Sequence, residues 1–544
     1  MSPPDEARRA EVFGEIRQAI QAGDMDAARR LAAAALDEGF EHPQLLNLRA
    51  LDHEAHGRFE KALADLRRAH LLAPKDYAIL NACGLCLGRL QRIEEAVQCF
   101  KQALEIEPAF GPAWFNSAWA LEQLGEVAKA ADAYAKAVEI SPENVQAWAN
   151  LAWLAARRGD EAATRQYADR AFALQPDHPT AVLALANVEL AEPLVAERRL
   201  RKLLNEPRLG AYDRSVALGQ LGDVLDAQDR PAEAFAAYEQ GNALMQEEAA
   251  PRFEVGPLSV AGALAWMIPW AQALDRRSWF VDRPTAASAA GAAGHVFLVG
   301  FPRSGTTLME SALAAHPHVV SLEERNTLQA GVRAFLGDAR SASRLTTIRE
   351  ADLKPYRDDY WAFVKSQGVD PAGKIFIDKN PFNTLKLPLI YRLFPNAKII
   401  FAIRDPRDVM LSCFRRRFNL NASTYELLDL RRGAAFYDST MRFADVLRGK
   451  KPMAEHALVY ERLVEDFARE MRATCAFIGA EWREDLADFA GRARRGEVAS
   501  ASSAQISRGL YADGAGQWRR YRDQLAPVLP VLAPWVEQFG YPAE

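Results

Sequence analysis

Small and apolar positions recur through the first third of the chain with a period of 34 residues: Ala50, Gly84, Ala118 and Ala152 fall one period apart. Twelve residues further along each unit stands a second column, Ala28, Ala62, Ala96, Ala130 and Thr164. A third holds Ala32, Leu66, Phe100, Tyr134 and Ala168, and a fourth Ala35, Ala69, Ala103, Ala137 and Ala171. Two helices cross closely only where small side chains meet, so the pattern predicts a stack of helix pairs over residues 9–178. Pro74, Pro108, Pro142 and Pro176 close the units, since proline lacks the N–H that a continuing helix needs. The phase is lost over 179–210, where Pro193 and Pro207 interrupt it. It returns in Gly222, Ala234, Tyr238 and Gly241, predicting one last unit near 212–248.

Beyond residue 250 the pattern changes. Residues 251–285 read as a helical connection, and AASAAGAAG (286–294) as a linker. Short apolar runs then alternate with helical periodicity. Strands are predicted at 296–300, 374–377, 398–403 and 457–460, and helices at 304–315, 384–393, 406–417, 430–447 and 462–478. Strand–helix alternation implies an α/β domain with a mostly parallel sheet. The domains expected are therefore a repeat array (9–250), a helical connection and linker (251–294) and an α/β domain (295–544).

The net charge of −5 conceals a split. Residues 1–250 carry 27 Lys+Arg against 39 Asp+Glu, and residues 251–544 carry 40 against 33. A basic second half suits an anionic ligand. The opening MSPPDEARRAEVF has no apolar core of a signal peptide. The longest uncharged run, Val255–Leu274, contains Pro257, Pro269, Ser259 and Gln272 and reads as a packed helix rather than a membrane span. Cys83, Cys86, Cys99, Cys413 and Cys475 make no disulfide framework, and Cys83 and Cys86 read as helix core. A cytoplasmic, reduced protein is expected.

Candidate chemistry starts at HVFLVGFPRSGTTLMESALAAHPHVVSLEER (295–325). A buried strand leads into a tight glycine turn, with Ser304 placed to cap the next helix. Such a turn aims backbone N–H groups at an anion, and the helix N-terminus adds roughly half a positive charge. Gly300 and Gly305 have the spacing of a nucleoside-triphosphate loop, but Thr306 stands where its lysine belongs. Arg303 is the loop's only positive charge, so the loop suits one 5′-phosphate group better than a triphosphate. A second motif is KIIFAIRDPRDVMLSCFRR (398–416), where a strand ends and a helix begins at Pro406. Arg404 and Ser412 there are placed to converge on one phosphate. Arg415, Arg416 and Arg417 read as a solvated face, and Phe414 and Phe418 as core.

PRSGTT followed about a hundred residues later by R-D-x-R resembles the sulfotransferases. The likeness covers 295–541 and is strongest to tetratricopeptide-containing bacterial sulfotransferases and to tyrosylprotein sulfotransferases; the repeats resemble the tetratricopeptide repeat, including Trp114 and Trp148 at its aromatic position. The fold implied is an N-terminal tetratricopeptide α-solenoid followed by a P-loop-like α/β sulfotransferase domain. The co-substrate implied is 3′-phosphoadenosine-5′-phosphosulfate, with no metal. By this resemblance Arg303, Ser304, Gly305, Thr306 and Thr307 hold the 5′-phosphosulfate, and Arg404 and Ser412 the 3′-phosphate. Ser502 and Arg508, in a C-terminal segment that closes over the nucleotide, join the 3′-phosphate set, with Trp518 and Arg519 in the same lid. Lys379, in IDKNPFNTLKLP, lies beside the transferring sulfuryl group and Glu324, in SLEER, is the catalytic base. The tyrosylprotein pattern has an arginine two residues after that glutamate; here the residue is Asn326.

The function expected is sulfuryl transfer to an acceptor hydroxyl, with Glu324, Arg303 and Lys379 as the catalytic set. A protein or peptide tyrosine is one acceptor class, and a carbohydrate or small-molecule hydroxyl stays open. The repeats are expected to hold a protein or peptide; no nucleic acid and no membrane span are expected. An interaction scaffold with an idle α/β domain is the alternative from another class. A P-loop kinase is disfavoured by the missing lysine. Glu323 or Glu324 pairing with Arg325 at the surface, and His316 as a rival base, are the competing readings of single residues.

Overall fold

The small residues of the 34-residue period lie at the helix crossings. The computed structural model describes residues 6–189, 192–254, 259–275, 291–450, 453–488 and 514–544. Chain contacts divide it into two compact units, Met1–Val188 and Glu189–Glu544. In the first, antiparallel pairs such as Pro43–Ala55 with Phe59–Leu72 and Tyr77–Arg89 with Ile93–Ile106 repeat along the chain. Every residue of the four predicted columns is buried. The second helix of each unit ends two residues before its proline, at Leu72, Ile106, Ile140 and Leu174. Trp114 and Trp148 each donate their indole N–H to the carbonyl of the preceding unit-closing proline, Pro108 and Pro142, at 2.9 Å.

Gly84 sits at one close crossing. A Cβ there would lie 2.4 Å from Phe100 Cε1. Gly84→Val should therefore destabilise the first unit by about 1–3 kcal/mol through overpacking, read as a lowered midpoint of thermal unfolding. An unchanged midpoint would contradict the close crossing. The same sixteen-residue relation recurs in the second unit, where a Cβ on Gly222 would lie 2.3 Å from Tyr238 Cε1. The last predicted pair thus exists, as Ala211–Ala227 and Pro231–Phe253, but it belongs to the compact unit that holds the sheet.

In that unit five strands form one parallel sheet in the order β2-β3-β1-β4-β5. They are β1 Gly294–Gly300, β2 Val319–Glu323, β3 Ile375–Lys379, β4 Lys398–Ile403 and β5 Glu455–Val459. Strand β2 was not among the predicted strands: only Val319 and Leu322 are buried in it, so it lacks the long apolar run of β1. Strand β1 is central, with Val296, Phe297, Leu298 and Val299 fully buried. The chain leaves β1 toward β2 on one side and leaves β4 toward β5 on the other. The carboxyl ends of β1 and β4 therefore flank the point where strand order reverses, which is where open α/β sheets take ligands. Among the described residues no helix is long and apolar enough to cross a membrane; the described part of the uncharged run holds the helix Val260–Ala273.

Three helices that the sequence pattern did not single out, Gln329–Phe335, Ala339–Thr347 and Glu350–Ser366, lie between β2 and β3. The predicted helix 462–478 is two, Tyr460–Glu465 and Phe467–Ile478, divided at Asp466, whose carboxylate accepts from the N–H of Arg469 and caps the second.

Candidate active site

The loop after β1 has an unusual backbone. Gly300, Arg303 and Gly305 all have positive φ, at 148°, 69° and 91°. A Cβ on Gly300 would lie 2.6 Å from the carbonyl oxygen of Ala402, so only glycine lets β1 and β4 approach here. Thr384 latches the turn: its hydroxyl accepts from the N–H of Gly300 at 2.9 Å and donates to the Gly300 carbonyl at 2.6 Å. The helix that follows is Thr306–Ala314, and its N-cap is Gly305, not Ser304 as predicted. No side chain caps it. Ser304 is instead buried in the turn, where its N–H donates to the Phe301 carbonyl at 3.3 Å. A helix end whose first N–H groups take no side-chain cap is suited to an anion.

The second motif meets this loop. Arg404 follows β4 and donates to the backbone carbonyl of Arg303 at 2.8 Å. Its guanidinium lies over the Tyr460 ring, 4.6 Å from the centroid, and its buried Nε makes no hydrogen bond. Ser412, two turns into the helix Pro406–Arg415, accepts from Arg303 Nε at 3.0 Å. Arg303, Arg404 and Ser412, from motifs about a hundred residues apart, therefore meet at the carboxyl ends of β1 and β4. Tyr460, Asp408 and Thr384 went unrecognised in the sequence. Tyr460 walls the loop beside Gly305, where a Cβ would meet its ring at 2.7 Å. Asp408 accepts from the N–H groups of Gly516 and Trp518, at 2.6 and 2.8 Å, and so fixes the described end of the proposed closing segment. Burial pushes the Asp408 carboxyl up to about 6, although Arg404 opposes the shift. Ser502 and Arg508 lie outside the described residues. Trp518 is buried under the Arg407 guanidinium, at 3.9 Å from its ring centroid.

Beside the loop, β3 ends at Lys379. Its side chain is fully buried, and its ammonium lies 2.9 Å from Glu324, 3.0 Å from Glu323 and 3.4 Å from Glu310. Register explains the convergence: Glu323 of β2 pairs with Lys379 of β3, and the N–H of Glu324 donates to the Lys379 carbonyl at 2.7 Å. Glu324 has a positive φ of 49° and turns its carboxylate back onto the lysine. Neither glutamate uses Arg325 for this; both serve Lys379. Burial alone lowers the pKa of an ammonium, but Glu310, Glu324 and Glu323 outweigh it and hold Lys379 charged, above its ordinary range. Glu310 was also unrecognised, although it lies one turn after Thr306 and Thr307 on the loop helix. Burial drives its carboxyl up to about 7 against the pull of Lys379. The rival base His316 is tied to backbone on both ring nitrogens: Nδ1 accepts from the N–H of His318 at 3.1 Å and Nε2 lies 3.0 Å from the Glu481 carbonyl.

Of the three arginines after Ser412 only Arg416 is exposed as a solvated face would be; Arg415 and Arg417 are not. Arg415 pairs with Asp226 at 2.8 Å and Arg417 with Asp223 at 3.1 Å, both on the helix Ala211–Ala227. Phe414 is core as predicted, stacked on Phe235 at 5.0 Å. Asp226 also accepts from Tyr521 at 2.6 Å, and Arg415 donates to Gln517 at 3.1 Å. Among the described residues no group of three or more His, Cys, Asp or Glu is arranged to hold a metal ion.

Comparison with known proteins agrees with this architecture. Residues 295–484 match the sequence model of the "Sulfotransferase family", and residues 84–145 that of the "Tetratricopeptide repeat". An uncharacterized protein of Aquifex aeolicus is 25% identical over 343 residues, covering 61% of this chain and 43% of that protein. Protein-tyrosine sulfotransferase 1 of Danio rerio is 26% identical over 264 residues, covering 45% of this chain and 72% of that protein. The chain thus spans less than half of the Aquifex relative. A solved tetratricopeptide repeat protein from Parabacteroides merdae aligns over 39% of this chain and 86% of its own, at 20% identity and a TM-score of 0.33. The chain carries a sulfotransferase-family domain and tetratricopeptide repeats, and its second half is distantly related to protein-tyrosine sulfotransferases.

Proposed function

We propose that the sulfotransferase-family domain transfers a sulfuryl group from 3′-phosphoadenosine-5′-phosphosulfate to an acceptor hydroxyl. The observation that carries this reading is the meeting of Arg303, Arg404 and Ser412 at the switch point between β1 and β4, beside a buried Lys379 that faces Glu324. The residues fit such a donor: the loop helix has no side-chain cap, and Arg404 keeps a buried Nε without a hydrogen bond. Arg303 with the N–H groups of Gly305, Thr306 and Thr307 takes the 5′-phosphosulfate. Arg404 and Ser412 take the 3′-phosphate, with Ser502 and Arg508 added from the closing segment.

In the transfer, the acceptor oxygen forms a bond to sulfur as the bond from sulfur to the bridging oxygen breaks. The electron pair stays on that oxygen, so negative charge grows on the leaving phosphate. Lys379 and Arg303 stabilise this charge, the kind of preorganised electrostatic contribution that mutagenesis elsewhere values at about 3–4 kcal/mol per donor. The acceptor proton passes to Glu324, whose side chain is 57% exposed and thus open to an incoming hydroxyl.

A tyrosine phenol is the first acceptor class. It is supported by the kinship with protein-tyrosine sulfotransferases and by a repeat array of the kind that holds peptides. A carbohydrate or small-molecule hydroxyl is the second reading, favoured by Asn326: an exposed neutral residue stands where the tyrosylprotein pattern has an arginine that grips acidic peptides. A transfer assay with labelled donor against tyrosyl peptides, free phenols and oligosaccharides separates them. Labelling of the peptides supports the first reading, labelling of oligosaccharides alone the second, and labelling of none contradicts both.

A further inference from the structure

Three carboxylates surround one ammonium at a place where, on the proposed reading, an anionic donor must also arrive. If all three stayed ionised, the buried cluster of Lys379, Glu310, Glu323 and Glu324 would carry a net charge of −2 and repel the phosphosulfate. Two of the carboxylates have solvent to support their charge: the side chains of Glu323 and Glu324 are 24% and 57% exposed. Glu310 does not. Its side chain is 6% exposed, and its Oε2, 3.4 Å from Lys379 Nζ, is buried without a hydrogen bond. The remaining surroundings support an anion only weakly. Glu323 on β2 opposes it and Ser321 on the same strand favours it, while β1 and the turn Glu484–Asp488 place Leu298 and Leu486 in the apolar cluster that holds Met309 and Leu313 of its helix. Among the described residues Lys379 is the cation paired with Glu310, so a donor phosphate that drew the lysine toward itself would leave Glu310 without that support.

We propose that Glu310 is a positioning residue that takes up a proton from solvent as the nucleotide binds, freeing Lys379 to serve the donor, and returns that proton when the product nucleotide leaves. The proton adds to the carboxylate Oε2; no other bond changes. The inference rests on the donor reading above and concerns a residue that acts only through Lys379. Its pH window follows from the direction of the carboxyl shift. With burial holding the free carboxyl near 7, Glu310 is mostly ionised at pH 8 in the empty site and protonated in the loaded one. The nucleotide's own phosphates, with second pKa values near 6, are already ionised there and take up nothing.

The test is calorimetric titration of the full chain with 3′-phosphoadenosine-5′-phosphate at pH 8, in two buffers of different ionisation enthalpy. Uptake of about one proton by the natural chain, lost in Glu310→Gln, is the expected result. A second measurement needs no variant: Kd should rise by up to about tenfold per pH unit between pH 7.5 and 9, as the proton becomes harder to supply. Binding without proton uptake, or uptake that persists in Glu310→Gln, overturns the role of Glu310 and leaves the donor reading standing. Absence of any binding overturns the donor reading, and this inference with it.

Discussion

Lys379→Ala is expected to lower the turnover of sulfuryl transfer by about 10²–10³-fold. The ammonium is fully buried at the carboxyl end of β3, with Thr307 Oγ1 of the phosphate loop 3.5 Å away. In the proposed transfer a cation fixed there acts on charge that develops only as the bond to sulfur breaks, so its loss should fall on kcat more than on donor affinity. The substitution also leaves Glu310 buried without a counter-ion, and a lowered unfolding midpoint is expected with it. Lys379→Arg separates the two effects: it keeps the charge but brings a planar fork into a space shaped by three carboxylates, so folding should recover more than turnover. Steady-state kinetics with unfolding midpoints for both variants is the check. Turnover within a few-fold of the natural chain in Lys379→Ala would remove this lysine from the chemistry.

Glu324→Gln should reduce turnover by about 10²–10⁴-fold, the range of a positioned base. Glutamine keeps the shape and leaves an amide oxygen to accept from Lys379, so folding and nucleotide binding should be preserved. What it loses is the capacity to take the acceptor proton. Glu323→Gln is the comparison: its carboxylate touches the same ammonium but is less exposed, so its effect should be at least tenfold smaller. Equal losses from the two glutamates would mean that both serve only to hold Lys379. Single-turnover rates with saturating nucleotide distinguish the outcomes.

The features legible in the sequence are those written in local spacing. A 34-residue recurrence of small residues needs no knowledge of the fold, and every column it names is buried. The glycine turn was legible too, because Gly300 and Gly305 mark positive-φ positions that few other residues adopt. The reading failed where a residue's partner is set by packing between distant segments. Arg415 and Arg417 look like a solvated run until the helix Ala211–Ala227 supplies Asp226 and Asp223 from some 190 positions away. Glu323 and Glu324 meet Lys379 only because β2 pairs with β3 in one register, while Glu310 reaches it from the loop helix, and β2 itself was too weakly apolar to be noticed. Ser304 has the side chain of a cap, but the left-handed Gly305 intervenes and gives the helix a different start. The array was expected to run to residue 250, because its spacing resumes at Gly222. Aromatic stacking of Phe235 on Phe414 and the aspartate pairs join that last helix pair to the sheet unit instead.

The most direct test of the central claim is calorimetric titration of the purified chain with 3′-phosphoadenosine-5′-phosphate, alongside ATP and AMP, with and without magnesium. The account predicts tight, magnesium-independent binding of the first nucleotide, weakened at least a hundredfold in Arg404→Ala. That variant removes both the proposed 3′-phosphate ligand and the bond that holds the Arg303 carbonyl. A preference for magnesium-ATP, or no binding of the 3′-phosphorylated nucleotide, would contradict it.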